Sequence, residues 1–547
     1  MTNAQTRLHP AAKMYVQELQ EGRLSRREFL TRTTALGVTT AAAYALAGLA
    51  RPAAAATAKQ GGTLRIQQSV LALKDPRTAD WSEIGNLTRG WLEYLVQYER
   101  DGSFTPMLLE SWSINDDATE YMLKVRPGVK WNNGDDWTAE NLAWLLTYWC
   151  DKTVEANSMA GRLAGLVDAT TNKARDGAIT VVDAMTVKLT LPSPDIAIIP
   201  GFSDYPAAVI HPSTNVQDIL ATPIGTGAYL PESFEVGVKA VLVKNTKHTY
   251  WGAGATLDRI EFIDYGTDPA SWVAAVDSGE VDMLYQNINE FIEIVDNIGW
   301  TKSEVVTGST IVARFNQVTQ VEGKAPFADV KARRALSQAV DNAVVLELGY
   351  NGLGVQADNH HVAPVHPEYA DIGRPKFDPK GAVALLTEAG MADYEFELTT
   401  LDDGFTKNSG DAIAAQIRDA GIKIKRTVLP GATFWNDWTK YTFSITEWNH
   451  RPLGVQVLAL AYRSNEPWNE SAFTNAAFDA KLAEAMSIAD ADKRRVVMAD
   501  IEKILQDEAV FIQPYWRSLY RHHKPEVVGA EMHPAFEIHV HKLGLTA

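Results

Sequence analysis

Residues 446–454 read Thr-Glu-Trp-Asn-His-Arg-Pro-Leu-Gly, and place a carboxylate, an indole, an amide, an imidazole and a guanidinium at the consecutive positions Glu447, Trp448, Asn449, His450 and Arg451. A flat apolar ring beside directional polar groups is what a small polar ligand needs, because the ring supplies contact area and the polar groups fix orientation. The bland alternative is a solvated strand-to-loop junction with one half-buried tryptophan. Arg451 suits a ligand carboxylate or phosphate, best met in bidentate geometry, and Glu447 suits an ammonium. Arg451 could instead pair with a nearby acid such as Asp437, and His450 reads as a satisfied polar neighbour. Further candidates are Trp435, beside Asp437 and Trp438; Ser69, which opens a polar, turn-rich run over residues 69–81; and His361, whose neighbour His360 must point the other way in an extended segment. His539 and His541, two apart, would share one face of a strand, a metal-compatible spacing, but with no third partner in sight they read as a surface pair. No metal or other cofactor is assigned.

Catalysis is not expected. The chain has no Gly-x-Ser-x-Gly elbow, no His-Glu-x-x-His and no phosphate loop, and its one cysteine, Cys150, lies in an apolar run as a small core residue. The acid pairs Asp135-Asp136 and Asp402-Asp403 are consecutive, so they diverge and read as solvated turns. An exported hydrolase is the lowest-ranked alternative.

The 547 residues exceed one core and suggest about three units. With 46% hydrophobic and 22% charged residues the composition is that of an ordinary globular chain, and a net charge of −17 disfavours a nucleic-acid partner. Residues 1–58 stand apart: Ser-Arg-Arg-Glu-Phe-Leu at 25–30, an apolar Ala/Leu-rich run at 38–50, then small-residue cleavage choices at 51–58. That order resembles a twin-arginine export leader and implies the Tat machinery as a partner; no cysteine offers a lipid anchor at the cleavage region. Without its 7 basic and 3 acidic residues the mature chain carries 44 against 65, a net charge of −21. A soluble periplasmic protein is expected.

The elements that must position the candidates begin with a strand at 61–66 and an apolar, helically spaced segment at 85–98. Leu-Leu-Glu-Ser-Trp112, Val125-Arg-Pro-Gly-Val-Lys-Trp131 and Gly134-Asp-Asp-Trp-Thr-Ala-Glu-Asn141 follow, with Thr138 as N-cap of a helix through Leu142, Leu145 and Leu146. Residues 179–192 read as a hairpin, Gly225-Thr-Gly-Ala-Tyr229 and Tyr250-Trp251 as landmarks, and residues 330–341 as a helix with Leu336, Val340 and Val344 on one buried stripe. Helices are expected over 377–390, 411–420 and 492–508.

In this order the motifs resemble family 5 of the bacterial extracellular solute-binding proteins, which contains dipeptide, oligopeptide and nickel receptors of import systems. The resemblance implies an α/β, two-lobed periplasmic-binding-protein fold of class II and three-subdomain type, with mixed sheets flanked by helices and a two-strand hinge. It implies lobe I over 59–310 with an inserted subdomain at about 96–200, lobe II over 311–512, and a return to lobe I over 513–547, with crossings at 305–316 and 511–520. It implies a monomeric receptor that hands a small ligand to a membrane ABC permease. Dipeptide-binding members carry an acid where Arg451 stands, so the expected ligand is peptide-like or an acidic conjugate, and Arg451→Ala should lose affinity at little cost in stability. A metal chelate, nickel or siderophore is the alternative cargo.

Overall fold

The computed structural model describes residues 9–50, 57–488 and 490–546. Its spine is a mixed twelve-stranded sheet. The path runs Tyr229–Glu235, Lys239–Lys244, Arg259–Ile263, Thr63–Gln67, Met283–Leu284, Tyr515–His523, Thr301–Phe315, Phe443–Trp448, Phe396–Leu401 and Ile424–Leu429, with Gly354–Gln356 and Phe511–Ile512 joined beside it. At each end the neighbours include parallel pairs, Thr63–Gln67 with Arg259–Ile263 and Phe396–Leu401 with Ile424–Leu429. Parallel strands need crossovers: Gly404–Asp419 lies between Phe396–Leu401 and Ile424–Leu429, and Pro269–Asp277 carries the chain from Arg259–Ile263 to Met283–Leu284, the other parallel neighbour of Thr63–Gln67.

Thr301–Phe315 joins the two halves. Its first part pairs antiparallel with Tyr515–His523, from Thr301 opposite His523 to Val306 opposite Ser518. Its last part pairs with Phe443–Trp448, from Thr310 opposite Trp448 onward. Between Val306 and Thr310 the register shifts. Thr307 holds that irregularity: its hydroxyl donates to the Arg517 carbonyl at 2.7 Å and accepts from the Ser309 amide at 2.9 Å. Gly308 fits there because a Cβ would stand 2.8 Å from His366 Nε2. A bulge of this kind bends and re-aims a strand where partners change.

Burial divides in the same way. Leu64 and Ile66 share a core with Trp91, Leu123 and Leu145 and with the tail residues Met532, Phe536, Ile538 and Val540. A second core gathers Ile311, Phe315, Leu336, Ile413 and Phe443. A separate four-stranded antiparallel sheet, Leu109–Ile114, Glu120–Val125, Thr186–Thr190 and Ile179–Asp183, sits on the first, and the helix Ala139–Trp149 beside it starts from a Thr138/Asn141 capping box. Cys150 is fully buried.

The helices Pro10–Gln20, Arg26–Ala35 and Thr40–Leu46 lie against both halves. Thr31 donates to the Gly102 carbonyl at 2.7 Å and Arg27 to the Tyr98 hydroxyl at 3.2 Å, while Arg32 donates to the Pro367 carbonyl at 3.0 Å. The cleavage choices at residues 51–56 lie outside the described residues. Among the described residues no helix is long and apolar enough to cross a membrane.

Several elements depart from the sequence reading. The apolar segment at 85–98 is a short helix, Ser82–Thr88, followed by the strand Val96–Tyr98, because its apolar residues are buried on every side rather than along one stripe. The helix Val330–Gln338 ends before Val340, and Val344 belongs to the next helix, Asn342–Tyr350, where it is exposed. Asp341 separates the two by capping the second, its carboxylate accepting from Ala343 N. His539 lies in an irregular stretch and His541 in a turn, neither in a strand, and they are not a surface pair, since His539 is buried and His541 half-buried.

Candidate functional site

The strand Phe443–Trp448 sends successive side chains to opposite faces, and this decides what residues 446–451 can do. Thr446 and Trp448 go one way. Both donate to one oxygen of Glu470, at 2.6 and 2.8 Å, and Arg314 Nε donates to its other oxygen at 2.8 Å. The Trp448 indole, 5% exposed, meets the rings of His361 and Trp468 edge-on at 5.5 and 5.9 Å. His361 is itself core: its Nδ1 lies 2.6 Å from the Tyr462 hydroxyl, and burial pushes its pKa well below the usual value, so the ring is neutral. His360 is equally buried, so neither of the pair faces an open cleft.

Glu447 goes the other way. It pairs with Arg517, whose Nη2 donates to Gln286 Oε1 at 2.8 Å and whose guanidinium carbon lies 3.9 Å over the Phe405 ring. Arg517 is sealed, but Glu447, Glu83, Asp403 and Gln286 keep part of their surface open. Burial raises the carboxyl of Glu447, and Arg517 offsets this only in part. Burial pushes Glu83 up to about 7, with the charge of Glu447 adding to it. Asp403 is likewise pushed up to about 7 by burial, and Glu447 raises it further while Arg517 opposes. Glu447 and Asp403 therefore share one guanidinium, and Glu83 adds a third carboxyl beside Glu447. Burial keeps two of them, Glu83 and Asp403, only partly ionised near neutral pH, and a further positive charge beside them would favour the ionised forms.

Ser82 ties this cluster across the seam. Its hydroxyl lies 2.8 Å from the Tyr285 hydroxyl and accepts from Asn449 Nδ2 at 3.0 Å. Trp81, one residue earlier, meets Trp435 from the other lobe with centroids 3.8 Å apart, and its indole N–H is buried without a partner. Ser69 is half-buried after Thr63–Gln67 and takes no part in these bonds.

Arg451 is committed elsewhere. Its Nε donates to Asp204 at 2.9 Å, Nη1 to the Asn449 carbonyl at 3.0 Å, and Nη2 reaches the Tyr205 hydroxyl at 3.4 Å. Asp204 also takes Arg162 at 2.6 Å. Burial alone would raise the Asp204 carboxyl, but the two guanidiniums hold it below its ordinary value. The acid that partners Arg451 is thus Asp204 rather than Asp437, which pairs with Lys440. His450 is satisfied at both nitrogens: Nδ1 accepts from Gly308 N at 3.0 Å, so Nε2 carries the hydrogen toward the Tyr98 hydroxyl at 3.2 Å.

Residue order hid three members of this cluster. Glu83 lies two residues beyond the run at 69–81. Asp403 was paired in sequence with Asp402, yet only Asp402 is exposed; Asp403 caps the helix Gly404–Asp419 and accepts from Thr406 N at 2.8 Å. Arg517 carried a readable signal, since it is a charge inside the crossing strand Tyr515–His523, which is buried at all nine positions although it also carries Arg521, His522 and His523.

Comparison with known proteins bears on the family and the fold. The family profile described as bacterial extracellular solute-binding proteins, family 5 Middle, matches residues 103–469. The chain is 25% identical over 468 residues to the nickel-binding periplasmic protein of Escherichia coli (strain K12), covering 80% of this chain and 85% of that one. It is 24% identical over 526 residues to the periplasmic oligopeptide-binding protein OppA of Salmonella typhimurium (strain LT2), covering 90% and 94%. In fold it resembles the crystal structure of Haemophilus influenzae OppA in complex with RPPGFSPFR, with a TM-score of 0.79, 19% identity, and coverage of 90% of this chain and 100% of that one. The chain belongs to the bacterial extracellular solute-binding proteins, family 5.

Proposed function

We propose that this chain is the periplasmic receptor of an ABC importer, exported through its leader at 1–58 and acting as a monomer that captures a peptide-like solute between its lobes. Ligand-stabilised closure about the paired strands near Thr307–Ser309 is then what the permease reads, and the solute drives closure only through its preference for the closed form. The solute carries an ammonium. The observation behind this is the Glu447 carboxylate with Glu83 and Asp403 beside it, an acid excess around Arg517 at the meeting of the lobes. A solute carboxylate would meet backbone donors, with Arg517 holding Glu447 in place and Arg451 serving closure rather than direct recognition.

The pH dependence follows from the raised carboxyls. Their stabilising contribution is full below the unfolded carboxyl values near pH 4 and is lost as pH rises through about 7, where the folded protein must ionise them against burial. The unliganded protein should therefore lose thermal stability from pH 5 to 7.5. A bound ammonium pairs with the ionised forms, so affinity should rise over the same range, by up to roughly tenfold per pH unit for each carboxyl. Thermal unfolding with small peptides and their N-acetylated forms, at both pH values, tests this. Stabilisation by the free amines alone, with the peptides recovered unchanged, is expected; equal stabilisation by the acetylated forms would refute it.

A further inference from the structure

A cavity of about 770 Å³ lies between the C-terminal tail and the strands Val96–Tyr98 and Phe104–Pro106. Its wall includes Glu99, Glu531, His533, Glu537, His539 and His541. Three imidazoles and three carboxylates on one wall are chemically unlike the apolar tail around them. We propose that His533, Glu537 and His539, with His541 at their edge, bind a divalent first-row transition ion such as Zn²⁺.

The geometry carries this. Ligand atoms of His533, Glu537 and His539 all lie within 4.8 Å of one another. Donors on one tetrahedral ion, each about 2.0–2.1 Å from it, stand about 3.4 Å apart, so small side-chain rotations close the set. The ring centroids of His533 and His539 are 5.1 Å apart and those of His539 and His541 6.1 Å, separations that imidazoles sharing an ion can adopt. A backbone turn brings the residues together: Phe536 takes a left-handed φ of 60°, which a bulky side chain rarely adopts, and its amide donates to the His533 carbonyl at 3.0 Å. This folds Glu537 and His539 back over His533.

The hydrogen bonds already present suit ligation. His533 Nε2 lies 3.1 Å from the Tyr98 carbonyl and carries the hydrogen, leaving Nδ1, whose lone pair meets only the Ala535 amide at 3.2 Å. A backbone carbonyl holding the far ring nitrogen is the usual way a metal-binding histidine is oriented. Glu537 Oε1 pairs with Arg89 at 2.9 Å, and Oε2 lies 2.6 Å from His539 Nε2. An ion entering there takes the place of the shared hydrogen, which moves to His539 Nδ1, and the ring stays neutral. Arg89, and Arg100 and Lys542 in the cavity wall, oppose a cation; Glu99 is taken up by Lys542 at 2.6 Å, so Glu537 and Glu531 are left to offset them. Borderline nitrogen and oxygen donors of this kind favour zinc, nickel or copper over calcium or magnesium.

Calorimetric titration of the untagged, chelator-treated full chain with Zn²⁺ tests the site. One ion per chain is expected, with affinity at least about tenfold weaker in His539→Ala and in His541→Ala. His541 is only half-buried, so its variant reports even if His539→Ala folds poorly. Glu447→Gln, in the interlobe cluster, should bind zinc normally, which separates this site from the solute site. Absence of saturable binding, or binding unchanged in both histidine variants, would overturn the proposal.

Discussion

Arg517→Met should cost the protein about 3–5 kcal/mol of stability and abolish solute binding, because it strands a buried carboxylate beside two others. Among the described residues Glu447 has no other cation in contact, and its carboxyl is already raised by burial despite Arg517. Removing one partner of a buried pair is far costlier than removing both, since the loss is dominated by the charge left behind. Glu447→Gln combined with Arg517→Met should therefore recover most of the stability, though not the binding. Urea unfolding of the single and double variants measures both effects. A single-variant loss below about 1 kcal/mol would mean that Glu447 sits in effectively aqueous surroundings.

The second large effect is expected at Asp204. Its carboxylate holds Arg162 at 2.6 Å and Arg451 at 2.9 Å, so Asp204→Ala leaves two buried guanidiniums without their acid and should cost about 3–5 kcal/mol. Arg451→Ala is different. Asp204 keeps Arg162, so global stability should change little, and the loss should fall on the contact between lobes. Affinity then weakens because closure is less favourable, the apparent constant scaling with the fraction of closed molecules. Small-angle scattering should find the unliganded Arg451→Ala chain more open than the native one. An unchanged radius together with lost affinity would instead put Arg451 directly on the solute.

The sequence revealed the scaffold more readily than the site, for physical reasons. Helix caps and turn residues are local, so Thr138, Asp378 and Gly390 could be read in place: Thr138 and Asp378 cap their helices, and Gly390 takes a φ of 68° just beyond Glu388. Which face of a strand looks into a cleft is not local. The run at 446–451 stands out by residue type, but its six side chains divide among a buried acid, an interlobe ion pair and the seam. Only pairing with Thr301–Phe315 decides which goes where. Trp448 lies on the Glu470 side because Thr310 is opposite it, and Glu447 faces Arg517 for the same reason. Glu83, Asp403 and Arg517 are more than 100 residues from one another in the chain, beyond the reach of any spacing rule. His533 and Glu537 escaped for a related reason, since a left-handed Phe536 is not predictable from its residue type.

The claim on which these readings depend is that a solute's ammonium sits among Glu83, Asp403 and Glu447. Mass spectrometry of the solute released on denaturing natively purified protein tests it most directly, with Glu447→Gln prepared in parallel. One amine-bearing, peptide-like solute per chain from the native protein, and little or none from the variant, is the predicted result. A solute with no basic nitrogen, retained equally by both, would contradict it.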